Sequence, residues 1–185
     1  MARNDGREKK RRRRKEGLEL IKYFSVSLAV AMALTVFVKP TLVKGQSMEP
    51  TLENNDYLIV KSASLWGTEP AFGDLIVFHS KVVSKEGHNR LLKRVVGVPG
   101  DTIEIRDGTV YRNDRPLEEE YVKEGKTSGN VARFTVGENQ VFVLGDNRAN
   151  SLDSRNRNLG TIGYEDIVGT VKFRLYPFDK IGTVK

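Results

Sequence analysis

The chain has 185 residues, room for one folded core and a tail, and no cysteine, which excludes disulfides, thiolate metal sites and a cysteine nucleophile. It has two histidines, His79 and His88, too few for a histidine-rich metal centre, and neither a metal nor another cofactor is expected. The formal net charge is +7, and residues 1–17 account for +6 of it with nine basic and three acidic side chains. From residue 39 onward the chain is close to neutral, so it lacks the spread basic face of a nucleic-acid binder, and no nucleic-acid partner is expected.

The basic run KKRRRRK is followed by GLELIKYFSVSLAVAMALTVFVKP. No charge interrupts residues 23–38, about 24 Å of helix at ~1.5 Å per residue. That falls short of a hydrocarbon core of roughly 30 Å. Residues 18–22 make up the difference if Lys22 snorkels toward the headgroups and Glu19 lies in the interface. The expectation is a membrane anchor over 18–38, with residues 1–17 as a cytoplasmic tail and 39–185 as an extracytoplasmic domain, oriented by the positive-inside rule. A buried soluble helix and a cleavable signal peptide are the alternatives. The small-x-small triplets Ala29-Val30-Ala31 and Ala31-Met32-Ala33 lie inside the apolar run, where a cleavage site does not belong.

Beyond Pro40 the apolar pattern becomes short runs of period two or continuous character. Residues 57–63, 74–80, 91–98, 102–113, 139–146 and 167–177 read as strands. Asp107-Gly108 predicts a type I′ hairpin turn and Asn113-Asp114 the next turn. No glycine-rich loop leads into a helix, so a phosphate-cradling fold is not expected, and there is no internal repeat. Residues 118–130, EEEYVKEGKTSGN, read as a solvated excursion. Trp66 reads as a corner aromatic or as an interfacial anchor.

Three stretches carry possible chemistry. In VKGQSMEPTL, Ser47 is either a turn residue or a nucleophile, and neither histidine sits in a triad context to activate it. A lysine can serve as base if burial disfavours its charged form. In NRLLKRVVGVPGD, Lys93 alternates with Leu91 and Val95, and Arg94 with Leu92 and Val96. If both faces of that strand are covered, one cation occupies an apolar surface, and lysine is the one that can become neutral. An edge strand with a solvated Lys-Arg pair is the other reading. The third stretch, GDNRANSLDSR, is either a surface loop of side-chain turns or a polar scaffold. In the scaffold, Ser151 can bond a neutral lysine while Asp153 and Arg155 fix the loop.

Taken in order after an N-terminal anchor, GQSMEPTL, GDLIVF, LLKRVVGVPGD and GDNRANSLDSR resemble the bacterial type I signal peptidases. These are membrane-bound Ser/Lys endopeptidases that release exported proteins from their signal peptides. The resemblance implies a mostly β protein: a single N-terminal transmembrane helix followed by a β-rich signal-peptidase-type catalytic domain. It assigns Ser47 as nucleophile, Lys93 as general base, Ser151 as the residue that orients the lysine, and Asp153 with Arg155 as a stabilising ion pair. Exported preproteins are the implied substrates and membrane lipid the implied surroundings. The substrate binds as an extended strand with small residues at the first and third positions before the cut. By position, Val43, Met48, Leu52, Leu91 and Leu92 are the candidates to line those pockets.

One departure concerns the oxyanion. Some relatives place a hydroxyl two residues before the nucleophile, where this chain has Gly45, so the Ser47 N–H and some other donor must serve. A second membrane span and a large inserted domain are absent from the pattern, as in the compact Gram-positive branch. Nine residue steps separate Val38 from Ser47, which keeps the serine within about 30 Å of the end of the anchor. Self-cleaving repressors with a Ser/Lys site, a tethered binding module and a cytosolic nucleic-acid binder are the rival readings.

Overall fold

The computed structural model describes residue 12, residues 15–29, residue 32 and residues 38–63, 69–84, 87–122 and 126–184. The chain divides into two units, Met1–Phe37 and Val38–Lys185, each described by itself. In the first, residues 15–29 are helical. Leu18, Leu20, Ile21, Phe24, Val26 and Leu28 are all exposed, and at about 100° per residue they surround the helix axis. Among the described residues no helix is long and apolar enough to cross a membrane. Residues 30, 31 and 33–37 of the expected anchor lie outside the described residues, as do Trp66 and the start of the basic tail.

The second unit is built of strands: β1 (Val38–Leu42), β2 (Tyr57–Ser62), β3 (Leu75–His79), β4 (Arg90–Gly97), β5 (Thr102–Arg106) and β6 (Thr109–Arg112) come first. They are followed by β7 (Arg115–Pro116), β8 (Val131–Thr135), β9 (Gln140–Leu144), β10 (Ile162–Gly163), β11 (Ile167–Tyr176) and β12 (Gly182–Thr183). The larger sheet has the order β1-β2-β11-β3-β4-β9-β10, with β12 on β11, and the smaller has β7-β6-β5-β8. The long strand β11 is thus inserted between β2 and β3, pairing antiparallel with both.

The six expected strand regions all form, the longest as the β5–β6 hairpin. Its turn has the positive φ angles expected, 52° at Asp107 and 80° at Gly108, and Asn113 and Asp114 follow at 53° and 64°. Five strands escape the sequence pattern: the two-residue β7, β10 and β12, too short to show a period, and the longer β1 and β8. In β8 only Val131 and Phe134 are partly shielded, too few apolar contacts to show a period. In β1, Pro40 reads as a stop, yet a proline is tolerated on an edge strand, and Val38, read as the end of the anchor, pairs with Lys61.

The interior strands β3 and β4 are buried along both faces. Alternate residues feed different cores: Ile76, Phe78, Leu91 and Val95 pack in one, Leu75 and Val77 with Met48, Leu58 and Val60 in another. A third core, with Val96, Ile103, Ile105 and Phe142, joins the two sheets. At the corner after β4, the Asp101 carboxylate accepts the Val98 N–H at 2.9 Å, Arg112 Nε at 2.7 Å and Asn113 Nδ2 at 2.7 Å. Burial favours the protonated acid, but Arg112, the Val98 amide and Asn113 outweigh it and hold the carboxyl below the usual range.

A carboxylate depressed in this way stabilises the fold above its unfolded pKa, and that stabilisation is lost as pH falls through the folded value. Asp101→Ala should therefore cost about 2 kcal/mol at neutral pH. The gap to wild type should narrow below about pH 4, read from urea denaturation at both pH values.

Candidate active site

Ser47 stands on a turn that follows β1. The chain enters this turn through Gly45, whose φ of 90° is strained for any residue with a side chain. Glycine there thus satisfies a backbone requirement, and the Gly45 N–H donates to Asn54 Oδ1 at 3.1 Å. The Val43 N–H donates to Asp56 O, and the Leu52 N–H to Met48 O, both at 2.9 Å, so the turn is closed at each end.

Lys93 lies mid-way along β4, opposite Ile76 of β3, and is 2% exposed. Its Nζ is 2.7 Å from Ser47 Oγ and 2.8 Å from Leu92 O. A strand flanked on both sides by partners leaves the lysine no route to bulk water along the sheet edge. The solvated edge pair is therefore not what forms.

Arg94 is buried too, at 3% exposure, so both cations of the pair leave water. The Asp146 carboxylate meets Arg94 through Nε at 2.9 Å and Nη2 at 2.7 Å, and accepts Thr51 Oγ1 at 2.5 Å. Gly73 O accepts Arg94 Nη1 at 3.1 Å, and the Tyr121 ring lies 4.0 Å from the guanidinium. The sequence reading assigned no partner to the arginine.

The loop 145–155 closes over the serine. The Asn147 N–H donates to Ser47 O, and its side-chain amide to Gln46 O, both at 3.1 Å. Gly145 permits this approach: a Cβ there would collide with Ser151 Oγ and stand 2.5 Å from Ser47 O. Arg155 grips Asp153 through two contacts of 2.8 Å, and Asp153 Oδ2 accepts the Gly145 N–H at 3.1 Å. Burial would raise the Asp153 pKa, but Arg155, the Gly145 amide and the neighbouring Ser151 hydroxyl overcome it and lower it. Ser151 Oγ is itself buried and, among the described residues, has no hydrogen-bond partner, Lys93 included.

Ser47, Lys93 and Ser151 line one cavity of roughly 670 Å³, together with Val43, Met48, Leu91 and Leu92. Leu52 does not reach its wall. The one-turn bond to Met48 points Leu52 into the core, where it is fully buried against β2 and β3 residues. Asp153 and Arg155 stand behind the loop rather than on the cavity. The charged excursion is not simply solvated either: Glu119 and Thr127 are drawn in by Arg148. The acidic run around Glu119 hid the one member that turns inward.

With this geometry in hand, the comparisons with known proteins converge. The family described as "Signal peptidase, peptidase S26" matches residues 17–176. Signal peptidase I U of Bacillus subtilis is 36% identical over 184 residues, covering 94% of this chain and 96% of the relative. A probable signal peptidase I-1 of Synechocystis is 38% identical over 169 residues, covering 89% and 85%. A crystal structure of a signal peptidase I from Enterococcus faecalis V583 matches 56% of this chain and 97% of its own at 32% identity, with a TM-score of 0.45. The chain belongs to the S26 signal peptidase family.

Removing the Asp146 carboxylate leaves the Arg94 guanidinium buried without its counter-charge. Asp146→Ala should cost about 3–5 kcal/mol of stability, measured by urea denaturation. A loss below about 1 kcal/mol, the range of a solvated pair, would show that water compensates the arginine.

Proposed function

We propose that this chain is a type I signal peptidase, a serine endopeptidase that removes N-terminal signal peptides from exported preproteins, with Ser47 as nucleophile and Lys93 as general base. The observation that carries this reading is the 2.7 Å approach of Lys93 Nζ to Ser47 Oγ, with the lysine almost wholly out of water. Desolvation favours the neutral amine. A neutral amine has the lone pair needed to accept a hydroxyl proton, and the Leu92 carbonyl holds one of its N–H groups.

Ser47 Oγ attacks the scissile carbonyl carbon while Lys93 takes the hydroxyl proton. The oxyanion forms against the Ser47 N–H. Collapse of the tetrahedral intermediate breaks the C–N bond, and Lys93 returns the proton to the departing amine of the mature protein. The signal peptide is left as an ester on Ser47. Lys93 then deprotonates a water that attacks this ester, and its proton restores the serine. Ser151 lines the same cavity as the amine and is assigned its orienting role on that ground, while Asp153 and Arg155 support the loop from behind. Val43, Met48, Leu91 and Leu92 line the same cavity as Ser47 and are the apolar walls that would receive small side chains at the first and third positions before the cut.

The membrane setting has two supports. The helix of residues 15–29 exposes Leu18, Leu20, Ile21, Phe24, Val26 and Leu28, apolar side chains that suit lipid better than water. In the catalytic unit, Leu42, Tyr57 and Tyr176 form an exposed row across β1, β2 and β11, with the Phe178 ring 5.4 Å from that of Tyr176. Exposed aromatics of this kind suit the headgroup region. The reading is a single anchor that starts at residue 18 and ends before β1, with an N-terminus in the cytoplasm and catalysis on the far face.

Detergent-solubilised protein should cut a preprotein with an Ala-x-Ala site after the second alanine, and Ser47→Ala should not; equal cutting by both rejects Ser47 as the nucleophile. The rate should rise with pH as Lys93 loses its proton, and a flat profile between about pH 6 and 10 rejects a lysine base. The full chain should stay in membranes washed with alkaline carbonate, whereas its release by that wash rejects the anchor.

A further inference from the structure

The active-site loop is held from beneath by a charge network that reaches outside the motifs carrying Ser47, Lys93 and Ser151. Arg148 opens the short 3-10 turn Arg148–Asn150, and its side chain is 1% exposed. Both of its terminal nitrogens reach Glu119, at 2.8 Å to Oε2 and 2.6 Å to Oε1. Its Nε donates to Gly145 O at 2.9 Å, and Nη1 also meets Thr127 Oγ1. The guanidinium therefore spans from the excursion to the corner at Gly145. The next residue but one, Asn147, grips the carbonyls of Gln46 and Ser47.

A second branch starts from the same carboxylate. Tyr121 donates its hydroxyl to Glu119 Oε1 at 2.9 Å, and its ring lies against the Arg94 guanidinium. Burial and Glu119 push the Tyr121 pKa up, so the phenol remains a donor throughout the working range. Arg94 holds Asp146 and is the immediate neighbour of Lys93. One carboxylate is thus tied through Arg148 and Asn147 to the Ser47 side of the site, and through Tyr121 and Arg94 to the Lys93 side.

We propose that Glu119 is a positioning residue: it fixes the spacing of Ser47 Oγ and Lys93 Nζ without touching either, by clamping the Gly145–Arg148 corner and seating Tyr121 under Arg94. Glu119, Tyr121 and Thr127 together are then a strut of the active site. This inference rests on the proposed Ser47/Lys93 reading. Glu119→Gln keeps the shape and removes the charge. It removes one negative charge from the network that runs through Tyr121 to Arg94, the neighbour of Lys93, and a lost negative charge disfavours an ammonium at Lys93. Two effects follow: slower chemistry from the loosened corner, and a pH–rate inflection displaced to lower pH. A substrate-binding role would move KM instead, and a purely stabilising role would lower the melting temperature while leaving both kinetic constants of the folded enzyme intact.

The experiment measures kcat, KM and the pH–rate profile of the full chain in detergent on an Ala-x-Ala preprotein for wild type, Glu119→Gln and Tyr121→Phe, with Ser47→Ala as blank. The expected result for Glu119→Gln is a kcat lower by about tenfold to a hundredfold, with KM within about threefold of wild type and the inflection moved down. Unchanged kcat in a folded variant, or a change confined to KM, overturns the proposal. If Glu119→Gln does not fold, Tyr121→Phe decides. It removes one hydroxyl, and a kcat lower by about threefold or more at constant KM supports the strut, while wild-type kinetics overturn it. Inactive wild type, or an active Ser47→Ala, defeats the Ser47/Lys93 reading itself, an outcome separate from failure of the strut.

Discussion

Two adjacent cations of β4, Lys93 and Arg94, leave water together, and their different chemistry sets much of what surrounds them. The arginine cannot lose its proton, so a carboxylate has to follow it inside, and Asp146 does so with two short contacts. The lysine can lose its proton and is met by a hydroxyl. The same strand therefore carries a guanidinium paired with a carboxylate beside an amine that meets a hydroxyl.

That arrangement explains why the loop after β9 is so densely bonded. Asp146 must sit at one depth to meet Arg94, Gly145 must let Ser151 and the Ser47 carbonyl pass close by, and Asn147 must reach both carbonyls of the serine turn. Each requirement fixes neighbouring backbone, and Arg148 and Asp153 anchor the two sides of the corner to Glu119 and Arg155. Buried ion pairs add little net stability compared with apolar packing, because their desolvation offsets most of the attraction. Their contribution here is geometric: they allow few alternative arrangements of the loop.

Much of this was legible in the order of residues. The aliphatic runs of β2, β3, β4, β9 and β11 and the Asp107-Gly108 turn follow directly from side-chain period and backbone preference. Lys93 stood out because it interrupts an apolar strand, and Ser151, Asp153 and Arg155 because polar loops seldom follow such a strand so densely. The partners were harder to see. Glu119 sits between two other glutamates that face solvent, and no local pattern distinguishes the one facing Arg148. Leu52 looked like a pocket residue by proximity, but a single turn of chain directs it into the core. Strand β8 is invisible for the opposite reason: its edge position leaves most of its side chains in water.

The place of β11 has a consequence for how the enzyme comes into being. In the sheet it separates β2, which belongs with the serine turn, from β3 and β4, which carry the lysine. Yet it follows both in the chain. Without it, the strand next to the serine turn has no hydrogen-bonded path through the sheet to the strand that carries Lys93. Long-range pairing of this kind forms late, because the intervening loop must be closed before any contact repays it. The order of strands thus acts as a check: the serine turn and the lysine strand share one sheet only once a strand from much later in the chain has slotted between them.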